Sequence, residues 1–305
     1  MAAGRMEFHA DTIMQHTNFC FVLPTDFVIE EIKNPAYYDR PAKALILLHG
    51  LTGTDTDWLY GGVAQEVSKQ YNLAVFMPTV GNSFYLDRGY AGGNYGSFVG
   101  EELPAFIRKS FGYCLRREDT MIAGLSMGGF GALHTALAFP DTFSSCIALS
   151  SALVIHEIDR YKGRKNDVMP EGLVREVFGD PETILDSDRN PEVLYYRNKA
   201  AGKKNPRIYM AIGTEDSLLE CNQEFRTFLE NEKADFFYED GPGVHNWDFW
   251  NGYLPKGIEW ALGSDSRGKA DASYLSFVYK FTPVPLAQRK DKEFKSDEPY
   301  CSRRF

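Results

Sequence analysis

The chain is poor in the features that mark several large classes of protein. It holds five cysteines in 305 residues (Cys20, Cys114, Cys146, Cys221 and Cys301), an odd number, widely spaced and without a Cys-x-x-Cys pair. That excludes a disulfide framework or a zinc ribbon and leaves reduced thiols that act mostly as small core hydrophobes. No run of about eighteen apolar residues occurs, so no membrane-spanning helix is expected. No Lys/Arg-rich face stands out against a net charge of −9 and a pI of about 5.3. Nucleic acid and anionic membrane surfaces are therefore not expected partners. His-Glu-x-x-His, the P-loop and Gly-x-Gly-x-x-Gly are all missing. Their absence removes metalloprotease, phosphate-cradling and dinucleotide chemistry, and neither a metal nor any other cofactor is expected. The first residues, MAAGRMEFHADTIMQ, lack an apolar h-region, which makes a soluble, cytoplasmic protein the expectation.

What is present is a chain with 44% hydrophobic and 14% aromatic residues, in which helical patterns alternate with short apolar runs. The alternation predicts an α/β domain with one mostly parallel sheet covered by helices. Met6–Met14 and His16–Leu23 alternate like an antiparallel edge hairpin. Ala44–Leu48 (ALILL), Leu73–Met77, Thr120–Ala123, Phe143–Leu149, Arg207–Ile212 and Phe236–Tyr238 read as buried strands. Between them Trp58–Tyr71, Glu101–Phe111, the run after Ser126, the run after Asp216 and Asp248–Leu262 have helical spacing. The glycine- and aromatic-rich stretch Gly81–Gly100 is long for a loop and is expected to wall a binding site. Residues 155–205 break the rhythm with Pro170, Pro181 and Pro191, and are expected to form a small inserted cap over the C-terminal edge of the sheet. The domain is expected to close at residue 263, with 264–305 a charge-rich, partly mobile C-terminal extension.

The segment MIAGLSMGGFGAL, Met121–Leu133, orients everything else. A bare Gly-x-Ser-x-Gly is a weak motif, but here Gly124-Leu125-Ser126-Met127-Gly128 joins an apolar strand to a small-residue helix, the context of a nucleophile elbow. Acyl transfer at Ser126 needs a base, and an acid to orient that base. In α/β hydrolases these follow in the order Ser, Asp or Glu, His, each at a strand end. Asp216 and His245 meet that condition. Glu215, Asp240 and Asp248 are the rival acids. Among the other histidines, His49 sits in the loop after Ala44–Leu48 and is expected to buttress it, His134 lies inside the helix after Ser126, and His9, His16 and His156 have no strand-end context. The strand Ala44–Leu48 runs into His49-Gly50-Leu51, which makes Leu51 N–H and Met127 N–H the candidate oxyanion donors. Trp58, Tyr85 and Trp247 are candidate pocket residues. An N-cap role for Thr54, Asp55 or Asp57 on the next helix is the structural alternative for the His49 loop.

The segments LLHGLTGTDTDWL, IAGLSMGGFGALHTAL, IGTEDSLL and GVHNWDFW resemble the esterase D superfamily, in the branch of tributyrin and feruloyl (cinnamoyl) esterases. The resemblance runs from about Asn18 to Leu262. It implies an α/β-hydrolase fold and carboxylic ester hydrolysis with Ser126, Asp216 and His245 as triad. The small-molecule substrate would be a short-chain acyl or hydroxycinnamoyl ester. S-formylglutathione hydrolases usually carry His at the place of Leu125 and His-Ser-Tyr at that of His245-Asn246-Trp247, which counts against that thioester. The spacing of His245, Trp247 and Trp250 is instead similar to feruloyl esterases and mycolyltransferases. An acyltransferase and a catalytically silent hydrolase-fold binding protein are the other readings. Self-association is common in the family, so a homo-oligomer is expected.

Overall fold

In the computed structural model, which describes residues 2–162 and 169–263, the strands join in one sheet of order β1-β2-β4-β3-β5-β6-β7-β8. The strands are β1 (Ala2–Ala10), β2 (Gln15–Leu23), β3 (Lys43–Leu48), β4 (Leu73–Pro78), β5 (Thr120–Leu125), β6 (Ser145–Leu149), β7 (Arg207–Gly213) and β8 (Phe236–Gly241). From β4 to β8 all pairings are parallel, while β1–β2 is an antiparallel hairpin joined antiparallel to β4. This is the α/β-hydrolase arrangement expected from the sequence. Every residue of β3, β4, β5 and β6 is buried, which is why these strands read as continuous apolar runs.

The helices are α1 (Asp57–Tyr60), α2 (Ala64–Tyr71), α3 (Tyr95–Ser97), α4 (Leu103–Phe111), α5 (Met127–Ala138), α6 (Ile155–Tyr161), α7 (Glu171–Phe178), α8 (Pro191–Ala200), α9 (Leu219–Asn231) and α10 (Trp247–Leu262). Alternate strand residues point to opposite faces, and two cores result. Ile46, Phe76, Ile122, Ala148 and Met210 pack with Phe130 and Leu133 of α5. Leu45, Val75, Ala123, Ile147 and Ala211 pack with Val67 of α2 and with Leu254 and Ile258 of α10. Among the described residues no helix is long and apolar enough to cross a membrane.

Three local expectations are corrected. The helix expected over Trp58–Tyr71 is two helices, α1 and α2, parted at Gly61-Gly62, a pair that weakens helix continuity. The aromatics of Gly81–Gly100 do not together form a binding wall: Phe84, Tyr85 and Phe98 are at most 1% exposed, and only Tyr90 and Tyr95 among the five reach the surface. Phe84 instead packs edge-on against Phe178 of α7, with centroids 4.8 Å apart. The chain is helical from Tyr95, and Leu103 N–H reaches back to Phe98 O in a π-turn just before Pro104, which has no N–H to donate. Asp55 does not cap α1; it is fully buried and bound by Arg5 Nε at 2.6 Å, which ties the hairpin to the loop after β3. Residues 155–205 contain α6, α7 and α8, with 163–168 outside the described residues; the tail expected over 264–305 lies outside them as well.

Candidate active site

β5 delivers the chain into the elbow at Ser126, whose backbone has φ 55° and ψ −118°. This region is sparsely populated for a residue with a side chain, and it persists only where the surroundings over-determine it. The surroundings do so here. Ser126 N–H donates to Leu149 O at 2.9 Å, and Ser126 O accepts from Ala152 N–H at 3.0 Å and Phe130 N–H at 3.1 Å. Gly124 and Gly128 let the turn close: a Cβ on Gly124 would overlap the Gly128 carbonyl, and one on Gly128 would lie 2.5 Å from Leu48 O. Ser126 itself stays half-buried, with its Oγ free of hydrogen bonds to described residues.

β7 ends at Gly213, and the turn that follows brings Asp216, 5% exposed, to the same end of the sheet. β8 ends at Gly241 and leads to His245. His245 Nδ1 donates to Asp216 Oδ2 at 2.8 Å, and Leu218 N–H donates to Asp216 Oδ1 at 2.9 Å. Burial alone would raise the Asp216 carboxyl, but the hydrogen bonds from His245 and Leu218 outweigh it and hold the group below the ordinary aspartate value. The imidazole edge lies against Trp250, centroids 5.0 Å apart. With Nδ1 donating to the carboxylate, Nε2 is left as a proton acceptor. In unliganded sites the serine–histidine contact is often loose.

The rival groups are occupied elsewhere. Glu215 Oε2 accepts from Gly243 N–H at 2.7 Å, and its own N–H donates to Gly243 O at 3.0 Å, so it shapes the loop before His245 rather than touching the ring. Asp240 and Asp248 are exposed and neither bonds to His245. His134 Nε2 binds Asp188 O at 2.8 Å and His156 Nε2 meets Glu192 at 2.9 Å. His9 and His16 sit on the edge hairpin.

Leu51 lies in the turn after β3, next to Gly50, where an added Cβ would come within 3.7 Å of Ser126 Cβ, and Met127 is the first residue of α5, where backbone N–H groups have no helical partner. Neither N–H bonds to a described residue. The loop that carries Leu51 is braced by His49, which is 1% exposed. Its Nε2 accepts from Val80 N–H at 3.2 Å, which fixes the tautomer so that Nδ1 donates to Gly50 O at 2.7 Å. Burial pushes the His49 ring below the ordinary histidine value, so it stays neutral. Asn82, which nothing in the sequence marked, accepts from Thr52 N–H through Oδ1 at 2.8 Å.

Of the three residues expected to line a pocket, two do not. Trp58 is 1% exposed, and its Nε1 donates to Leu48 O at 2.8 Å. Tyr85 is wholly buried, and its hydroxyl donates to His49 O at 2.9 Å. Both sit behind the Leu51 loop as supports. Trp247 is half-buried and stands edge-on to Trp58 at 5.1 Å and to Trp250 at 5.3 Å, one residue beyond Asn246, whose Oδ1 caps α10.

Comparison with known proteins gives a consistent picture. The Esterase family model matches residues 12–261. An acetyl esterase of Caldicellulosiruptor saccharolyticus is 39% identical over 261 residues, which span 85% of this chain and 98% of that protein. The substrate-bound structure of the fluorophosphonate-binding serine hydrolase FphF of Staphylococcus aureus is 26% identical and superimposes with a TM-score of 0.73 over 86% of this chain and 99% of its own. The S-formylglutathione hydrolase FrmB of Staphylococcus aureus is 27% identical, with a TM-score of 0.71 over the same shares of 86% and 99%.

Proposed function

The chain belongs to the Esterase family, carboxylic ester hydrolases of α/β-hydrolase fold, and from that premise we propose that it is a serine carboxylesterase acting on short-chain acyl esters through an acyl-enzyme on Ser126. The observation that carries the reading is the 2.8 Å hydrogen bond between His245 and Asp216 at the strand ends beside the Ser126 elbow. His245 takes the Ser126 proton through Nε2 as Oγ attacks the ester carbonyl. Asp216 holds the Nδ1–H tautomer and stabilises the imidazolium that forms. Leu51 N–H and Met127 N–H receive the oxyanion, each contributing about 3 kcal/mol to lowering the barrier. His245 then returns the proton to the leaving alcohol, and a water activated by the same ring releases the acid.

An acetyl or similarly small acyl group is favoured by the relative named an acetyl esterase. Hydroxycinnamoyl esters are the second reading, supported by the spacing of His245, Trp247 and Trp250. Leu125 and Asn246-Trp247 weigh against S-formylglutathione, although FrmB is named for that substrate. A sugar or glycerol hydroxyl in place of water would make the same site an acyltransferase. A homo-oligomer belongs to the same proposal, and light scattering reads it directly.

The test is turnover of p-nitrophenyl acetate, butyrate and octanoate, methyl ferulate and S-formylglutathione by the protein and by Ser126→Ala, with product analysis in the presence of acceptor alcohols. Loss of short-ester turnover by several orders of magnitude in Ser126→Ala is expected. Equal rates in both proteins would end the serine-esterase reading.

A further inference from the structure

The segment that holds Ser126 in place also meets the turn that carries Asp216, and one buried side chain joins them. Asn222 lies in the first turn of α9 and is 0% exposed. Its Nδ2 donates to Ser151 O at 2.8 Å and to Leu218 O at 2.8 Å. Both partners are carbonyls, so the amide orientation is fixed by chemistry. Leu218 is the residue whose N–H binds Asp216 Oδ1, and Leu219 N–H donates to Asp216 O at 3.1 Å. Ser151 stands between Leu149 and Ala152, the two residues that hold the N–H and the carbonyl of Ser126. A path of hydrogen bonds linked by short stretches of main chain thus runs from the Ser126 backbone through residues 149–152, Asn222 and Leu218 to the Asp216 carboxylate.

The amide accepts a defect to do this. With both N–H groups aimed at carbonyls, Asn222 Oδ1 is buried with no partner among the described residues. A buried acceptor left unpaired works against stability. Breaches of local rules of this kind are expected where function requires them.

We propose that Asn222 is a positioning residue, which locks the Asp216–Leu218 turn to the end of β6 and thereby sets the carboxylate, and with it the His245 ring, in register with Ser126. The inference rests on the triad reading above. Asn222 touches no substrate, so its removal acts on kcat and leaves KM alone. A displacement of about 1 Å transmitted to a reacting group is enough for losses near a hundredfold.

The experiment compares the full chain with Ser126→Ala, Asn222→Ala, Asn222→Ser and Asn198→Ala. Asn198 is another buried amide, 7% exposed, bound to Leu137 O at 2.7 Å and Asn205 Oδ1 at 2.9 Å at the far end of α5. Asn222→Ala is expected to lower kcat roughly 10- to 100-fold with KM within about twofold. It should also lose the far-downfield proton resonance of the His245–Asp216 hydrogen bond. Asn222→Ser, with one donor kept, should recover part of kcat, and it carries the test if the alanine variant does not fold. Asn198→Ala should keep kcat and the resonance even where its melting temperature falls as far. Wild-type kcat in Asn222→Ala, a rise in KM that accounts for the loss, or an equal kcat loss in Asn198→Ala would each overturn the proposal. Wild-type turnover in Ser126→Ala would remove the esterase reading itself, a failure separate from any result at Asn222.

Discussion

The hydroxyl of Tyr85 donates to the carbonyl of His49 at 2.9 Å, from a side chain with no exposed surface. Tyr85 has φ 58°, and its ring fills the space left open by Gly131 of α5. The loop that carries Leu51 is therefore held from beneath by a residue packed on the helix that begins at the elbow. Tyr85→Phe should cost about 0.5–1.5 kcal/mol of stability and lower kcat/KM by no more than about tenfold, because the loop keeps its His49 struts. Urea unfolding and steady-state kinetics on the same preparation check both. A loss as deep as that of Ser126→Ala would give Tyr85 a direct part in the chemistry.

Asp216 and Glu215 are neighbours with different work. Asp216→Asn should reduce kcat about 10³- to 10⁴-fold, since the wrong imidazole tautomer is then favoured. Glu215→Gln, which changes only the brace on Gly243, should lose about tenfold or less. Reversed magnitudes would move the acid to Glu215.

Stability should fall with acidification in two windows. His49 and His134 are both pushed below the ordinary histidine value, by burial first. As pH drops below about 6.5 the unfolded chain binds protons there that the native state refuses, so stability is lost. His156, raised chiefly by its hydrogen bond to Glu192, acts in the opposite sense, but from a half-exposed position. Asp216 is depressed, so its contribution is present above the ordinary aspartate value near 4 and is lost below it. Urea midpoints between about pH 7.5 and 5.5 should fall in the wild type and fall less in His49→Gln and His134→Gln. Parallel slopes in all three would refute the assignment.

Trp247 is the half-buried member of the Trp58–Trp247–Trp250 cluster and follows His245 by two residues. If it bounds the acyl site, Trp247→Ala should raise the ratio of octanoate to acetate turnover while Ser126 still labels with a fluorophosphonate probe. An unchanged ratio would place the chain-length filter elsewhere.

Much of this site was legible in the sequence, and the reason is topological. A parallel sheet puts every strand's C-terminal end on one edge, so residues following β5, β7 and β8 converge whatever their separation along the chain. Ser126 could therefore be proposed from its motif, and Asp216 and His245 from the chain order together with their strand ends. Depth was not legible in the same way. A run such as GNSFYLDRGY has the composition of a loop, and nothing in it shows that Phe84 and Tyr85 turn inward through positive φ while Tyr90 stays 53% exposed. Trp58 was misread for a similar reason, since an indole that finds a carbonyl can be wholly buried. Asn222 left no trace, because its partners are main-chain carbonyls, one of them 71 residues away, and main-chain groups carry no sequence signal.

The backbone of Ser126 is held by Leu149 and Ala152, which lie beyond the elbow helix and across the next strand. The elbow is therefore not a self-contained peptide. A fragment ending at Ala138 contains every residue of the motif and keeps the Phe130 bond to Ser126 O, but lacks the two bonds, from Leu149 and Ala152, that hold φ at 55° from outside. During synthesis Ser126 should settle into this backbone geometry only after β6 has emerged and docked, and the pentapeptide transplanted alone into another scaffold should not keep it.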